Sequence, residues 1–204
     1  PPPPPPPPPE FFSPPTRPNA ILSGLVGSEM CIRDRYKKKN LRPTSSKVIG
    51  AVFSILGHEN LQGKNFLDLY AGTGALGLRA LELGVSNCYF VDINNKFLQK
   101  IKNQVEKYDF EGEARMIKAN CENQLGKISE KFDFIFADPP YSDNSIDKIV
   151  SQIIDNKLSG QDTKLIFEHS SRQNIAKSIK IFNMQGQKEY GDTSISIFSS
   201  NKEG

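Results

Sequence analysis

From Tyr36 onward the chain alternates short apolar runs with amphipathic stretches, and that alternation restricts the possible folds more than any other feature. Segments 65–69, 88–91, 114–118, 132–137 and 164–168 read as strands. Segments 75–83, 96–108 and 145–155 between them carry apolar residues at helical spacing. A further helix is predicted over 45–56, with Val48, Val52, Ile55 and Leu56 on one face, Thr44 or Ser45 as cap and Gly57 as stop. Strand, helix, strand repetition requires a parallel sheet, because each crossover helix carries the chain back to the edge where it started. The tail, 179–184 and 194–199, reads as a closing hairpin. The expectation is a doubly wound α/β fold: a mostly parallel, seven-stranded sheet with an antiparallel C-terminal edge.

The first 35 residues lack any such pattern. They open on an unbroken proline run, 1–9, which can join neither a helix nor a central strand. Glu29-Met30-Cys31-Ile32-Arg33-Asp34-Arg35 resembles a translated sequencing adapter. Residues 1–35 therefore read as disordered or foreign, with one domain over 36–204. A net charge of +3 over 204 residues permits a nucleic-acid partner without requiring one. Cys31, Cys88 and Cys121 have neither disulfide-framework nor zinc-knuckle spacing, and His58 and His169 stand far apart, so no metal site is expected. No apolar run approaches the roughly 20 residues of a membrane helix, and no secretory pattern opens the chain. The expectation is a cytoplasmic monomer with no membrane association.

Chemistry concentrates in two places. Phe66-Leu67-Asp68-Leu69-Tyr70-Ala71-Gly72-Thr73-Gly74-Ala75-Leu76-Gly77 contains G-x-G-x-x-G at a strand-to-helix turn, the context a nucleotide-binding loop needs. Asp92 ends the next strand, where it could hold ribose hydroxyls of either a dinucleotide or S-adenosylmethionine. Asp68 separates the two. A strand-end carboxylate just before the glycines repels a pyrophosphate, whereas S-adenosylmethionine lacks phosphate and carries an ammonium and a sulfonium. The candidate cofactor residues are Asp68, Ala71, Gly72, Thr73, Gly74, Gly77, Asp92 and, after the third strand, Asn120.

The second place is Asp138-Pro139-Pro140-Tyr141, directly after the apolar strand 132–137. Two prolines remove two donors and stiffen the loop, leaving the Asp138 carboxylate and Pro139 carbonyl as acceptors at the sheet mouth. A base amine has two N–H groups to match them, and Tyr141 offers a face for the base to stack on.

D-x-x-x-G-x-G followed by D-P-P-Y resembles the amino-group DNA and RNA methyltransferases. More closely, Leu41-Arg42-Pro43-Thr44-Ser45, the following helix with Val52-Phe53, the two motifs above and Lys188-Glu189-Tyr190-Gly191 resemble the RsmD-type methyltransferases, over about residues 41–198. The resemblance implies a Rossmann-like methyltransferase fold and S-adenosylmethionine as donor. It also implies the exocyclic N2 amine of a guanine in bacterial small-subunit (16S) rRNA as acceptor, either naked or in an assembling small ribosomal subunit. In that family setting Asp138, Pro139, Pro140 and Tyr141 would be catalytic.

The chain departs from the family pattern at three points. A basic hairpin usually opens the family, and here only Tyr36-Lys37-Lys38-Lys39 stands near its place. An Arg-Glu pair after the Arg-Pro-Thr entry is replaced by Ile49-Gly50, and the acid expected near the adenine amine aligns with Asn120. Three rival readings remain. A DNA adenine-N6 or cytosine-N4 methyltransferase would want a separate target-recognition region. An NAD-dependent oxidoreductase is disfavoured by Asp68 and by the lack of an obvious hydride-site residue. An inactive RNA-binding subunit is disfavoured by the intact motifs.

Overall fold

In the computed structural model, which describes residues 45–108, 110–140 and 144–200, the alternation becomes one sheet. Strands β1 (Asn65–Leu69), β2 (Asn87–Asp92), β3 (Glu113–Lys118), β4 (Phe132–Ala137) and β5 (Ser159–Ser170) pair in parallel. Strands β6 (Ser178–Ile179), β7 (Phe182–Tyr190) and β8 (Thr193–Ser200) continue the sheet antiparallel, giving the order β3-β2-β1-β4-β5-β8-β7-β6. The proline run, the basic residues 37–39, the Leu41-Arg42-Pro43-Thr44 entry and Tyr141 lie outside the described residues.

Among the described residues the sheet has eight strands where the sequence pattern predicts seven. Segment 179–184, which reads as one strand, is split by a turn at Lys180, whose φ is 54°; Ser178 then pairs with Asn183 and Ile179 with Phe182. A two-residue strand is too short for period-2 alternation to register. Strand β5 also begins earlier than its apolar run. The Thr163 hydroxyl donates to the Phe132 carbonyl at 2.6 Å and accepts from Gly160 N–H at 2.7 Å, so side-chain bonds hold polar residues there.

Among the described residues four α-helices cover the sheet: α1 (Ser46–Leu56), α2 (Ala75–Glu82), α3 (Asn95–Lys107) and α4 (Ser145–Asp155). Ser45 caps α1 by accepting Val48 N–H at 3.3 Å, and Gly57, at φ 78°, ends it. On one sheet face Val52, Phe53 and Leu56 of α1, Leu76 and Ala80 of α2 and Leu98 and Ile101 of α3 pack against Phe66, Phe90, Phe134, Phe136 and Ile166. On the other, Ile146, Ile149, Val150 and Ile153 of α4 pack against Leu67, Leu69, Ile135, Leu165 and Phe167. Each fully buried Phe or Leu contributes about 1.5–3 kcal/mol of transfer free energy, so both layers are driven by the same apolar strands. No described helix is long and apolar enough to cross a membrane.

The chain leaves β1 toward β2 on one side, while β4 occupies the other side of β1. That reversal marks the place, beyond the C-terminal ends of β1 and β4, where doubly wound sheets bind ligands in a crevice. Asp68, Asp92 and Asp138 all stand at that end of the sheet.

Candidate active site

Asp68 is the next-to-last residue of β1 and, by alternation, shares the sheet face of Phe66. Only 2% of it is exposed. Its Oδ2 accepts Gly77 N–H at 3.0 Å, so the carboxylate lies under the first turn of α2. Burial pushes its pKa from an ordinary 3.8 up to about 7; the Gly77 donor opposes the rise, and the neighbouring charges of Asp92 and Asp138 add to it. The sequence places this carboxylate at the strand end just before the glycines but does not give its depth. In the structure it is the buried floor beneath the loop.

The loop above Asp68 closes tightly because two of its glycines do what no other residue could. Gly74 has φ 74°, and a Cβ there would meet Ile101 at 2.6 Å. A Cβ on Gly77 would fall onto the Phe90 ring and 2.9 Å from Cys88 Sγ, so this glycine lets α2 settle against β2. Ala71 is buried, Gly72 half-buried and Thr73 exposed. Ala71 N–H donates to the Val91 carbonyl at 3.0 Å, and Gly72 N–H donates to Asp92 Oδ2 at 2.9 Å, which stitches the loop to the end of β2.

Asp92 accepts a second backbone bond, from Asn94 N–H to Oδ1 at 2.7 Å. Directly after it stands Ile93, which is 66% exposed and is one of only two large apolar side chains left in solvent among the described residues. The sequence pattern gives no hint of Ile93, since an isoleucine beside a strand reads as core. Asn120, after β3, uses its side-chain oxygen to accept Glu122 N–H at 2.8 Å, and its own N–H donates to Gln124 Oε1 at 3.1 Å. One lone pair of that side-chain oxygen is therefore committed to its own turn.

On the other side of the crevice Asp138 leaves β4 half-buried, Pro139 is buried and Pro140 exposed. The register Leu69↔Ala137 places Asp138 level with the exit of β1, and its charge reaches Asp68. The structure thus brings the candidate residues of both motifs to one crevice, with Tyr141 outside the described residues.

His169 has a structural role. It is 1% exposed, with Nδ1 at 2.9 Å from the Ser170 carbonyl and Nε2 at 2.8 Å from Ser196 Oγ, and burial lowers its pKa. Among the described residues no group of three His, Cys, Asp or Glu side chains could hold a metal ion. The charges of Asp92 and Asp138 both act on the buried Asp68, and carboxylates gathered at one end of the sheet favour a cationic ligand and disfavour a phosphate.

Known proteins resemble this chain in sequence and fold. A Bacillus subtilis (strain 168) protein, YlbH, is 28% identical over 160 residues, covering 77% of this chain and 86% of its own. The Ribosomal RNA small subunit methyltransferase D of Buchnera aphidicola subsp. Baizongia pistaciae (strain Bp) is 26% identical over 136 residues, covering 67% of this chain and 69% of its own. Among solved structures, a conserved hypothetical protein of Streptococcus pyogenes superposes with a TM-score of 0.69 at 24% identity, over 77% of this chain and 98% of that one. The T. thermophilus 16S rRNA N2 methyltransferase RsmC, solved with AdoMet and guanosine, has the same fold at a TM-score of 0.62 and 16% identity, over 82% of this chain and 45% of that one. Residues 21–199 match the family described as Conserved hypothetical protein 95, and the chain belongs to that family, the RsmD-type methyltransferases.

Proposed function

We propose that this protein transfers a methyl group from S-adenosylmethionine to the exocyclic N2 amine of a guanine in small-subunit rRNA. The observation that carries the reading is that Asp68 and Asp92 hold the glycine loop through Gly77 and Gly72, while Asp138 follows the neighbouring strand at the same end of the sheet. A ligand with an ammonium and a sulfonium offsets the negative charge gathered there, whereas a dinucleotide adds to it. The name of the small-subunit relative and the guanosine bound in RsmC support rRNA guanine as the acceptor class.

When bound, S-adenosylmethionine supplies an electrophilic methyl group, and the residues of this chain bind and orient. Asp68 and the Gly72 to Gly77 loop cradle the cationic amino-acid end. The remaining lone pairs of Asp92 accept ribose hydroxyls, and the exposed Ile93 gives the adenine an apolar face to cover. Asn120 accepts from the adenine amine with the lone pair its turn leaves free. Asp138 and the Pro139 carbonyl accept the two N–H groups of the guanine amine. That arrangement turns the nitrogen lone pair toward the methyl carbon, and Asp138 is placed to take the proton the amine loses. Pro139 and Pro140 keep the acceptors rigid, and Tyr141 stacks the base.

Titration calorimetry of S-adenosylmethionine and NAD against the same protein tests the cofactor half of this reading. Binding of S-adenosylmethionine with no measurable NAD binding is expected; tighter NAD binding would overturn it.

A further inference from the structure

The loop after β3 and the first turn of α4 are tied together by a side chain that neither motif contains. Glu122 Oε1 accepts from the Ser145 hydroxyl at 2.8 Å, and Oε2 accepts from Lys148 Nζ at 3.0 Å. Ser145 is the first residue of α4 and is wholly buried. The preceding residue, Asn144, supplies no side-chain cap to that helix. A carboxylate bonded to helix residues three apart lies over the first turn, where the helix dipole favours negative charge, so Glu122 does from another loop what a capping residue does from its own. These bonds draw its carboxyl below the usual range, the Ser145 bond most strongly.

Two further contacts extend the tie. Leu125 N–H donates to Gln152 Oε1 at 3.3 Å, so the stretch after β3 also grips α4 near its C-terminal end. The buried Tyr70 hydroxyl, on the residue between β1 and the glycine loop, is aimed at the Glu122 carboxylate without closing a hydrogen bond of ordinary geometry. Glu122 is itself held by its neighbour, since its N–H is the donor to Asn120 Oδ1. One carboxylate therefore faces the exits of β1 and β3, which carry cofactor candidates, and the helix that follows the Asp138-Pro139-Pro140 segment.

We infer that Glu122 is a positioning residue for methyl transfer, fixing the start of α4, and with it the far end of the segment that carries Asp138, against the loop that carries Asn120. The inference rests on the proposed transfer to a guanine amine at Asp138. The physical stake is registration. Ala137 is held by the sheet and Ser145 by Glu122, so freeing the start of α4 is expected to loosen the placement of Asp138 and Pro139, which follow Ala137 directly. A misplacement on the order of 1 Å costs up to about a hundredfold in rate.

The experiment compares wild type, Glu122→Ala, Glu122→Gln and Ser145→Ala. It reads the melting temperature, the S-adenosylmethionine Kd by calorimetry, kcat and KM for small-subunit rRNA, and backbone hydrogen exchange over 144–150. The Ser145→Ala variant removes the anchor while leaving the carboxylate and the lysine in place. Both alanine variants are expected to lower kcat by about tenfold or more, with the S-adenosylmethionine Kd changed less than about threefold and exchange accelerated in the first turn of α4. Adding Ser145→Ala to Glu122→Ala should cost little beyond Glu122→Ala alone, because the Ser145 contact is already gone. Glu122→Gln keeps an oxygen for the Ser145 hydroxyl and is expected to recover most of kcat. If folded Glu122→Ala and Ser145→Ala both turn over like wild type, or if Glu122→Gln is as impaired as Glu122→Ala, the positioning role is wrong. Wild-type protein that binds S-adenosylmethionine but methylates no guanine overturns the underlying function, and the positioning role falls with it.

Discussion

Replacing Asp68 with asparagine should make the ligand-free protein more stable and the cofactor site worse. Asp68 is almost wholly buried and its pKa rises from 3.8 to about 7. A carboxyl whose folded pKa is raised favours the folded state below about pH 4, and that advantage is lost as pH climbs to about 7. Above that range the native protein holds a buried anion at a cost of about 4 kcal/mol, from about three pKa units at 1.36 kcal/mol each. The asparagine oxygen can still accept Gly77 N–H, so the substitution removes the buried charge while keeping that bond. Urea unfolding at about pH 8 should therefore show Asp68→Asn more stable by up to about 4 kcal/mol, with the difference vanishing at about pH 4. S-adenosylmethionine affinity should move the other way. Losing a charge-assisted bond of about 1.5–3 kcal/mol weakens binding by roughly tenfold to a hundredfold. Binding to wild type near pH 7 should release protons, seen as a buffer-dependent calorimetric enthalpy, and Asp68→Asn should release none. A variant that is less stable at about pH 8 yet binds the cofactor normally would refute this account of the buried carboxylate.

Asp138→Ala should leave S-adenosylmethionine affinity unchanged and lower single-turnover methyl transfer by about 10² to 10³, while Tyr141→Ala should raise KM for RNA by an amount equivalent to about 1–3 kcal/mol of lost stacking. Gly77→Ala drives a methyl group onto the Phe90 ring and Cys88 Sγ and should cost about 1–3 kcal/mol in denaturant unfolding; an unchanged midpoint would mean that α2 can lift away from β2. His169 is held neutral by burial, so wild type should lose stability relative to His169→Gln as pH falls below about 6.5; parallel pH profiles for the two proteins would remove His169 as the cause.

The sequence exposes the site wherever function coincides with a local pattern. Asp68, Asp92 and Asp138 are legible because each is a charge set at the end of an apolar strand, and the glycines because they follow at fixed spacing. Depth is not legible. Nothing in Phe66-Leu67-Asp68-Leu69 tells whether the carboxylate faces solvent or lies under a helix, since that depends on how closely Gly77 lets α2 approach. The Glu122 tie joins residues 23 and 26 positions apart through two different loops, and no local periodicity encodes such a pair. Ile93 escapes for the opposite reason: its type predicts burial, and only the turn made by Asp92 and Asn94 carries it outward. The split of the predicted 179–184 strand rests on one positive φ at Lys180, a residue with no turn preference to announce it.

The most direct test is the identity of the methylated nucleoside. Small-subunit rRNA from cells lacking this gene, incubated with the protein and methyl-labelled S-adenosylmethionine and then digested to nucleosides, should carry the label in N2-methylguanosine alone. Asp138→Ala protein should leave that peak at the level of a no-enzyme control. Label recovered in N6-methyladenosine or N4-methylcytidine, or an Asp138→Ala protein that labels as fast as wild type, would contradict the assignment of the Asp138-Pro139-Pro140 acceptors to a guanine amine.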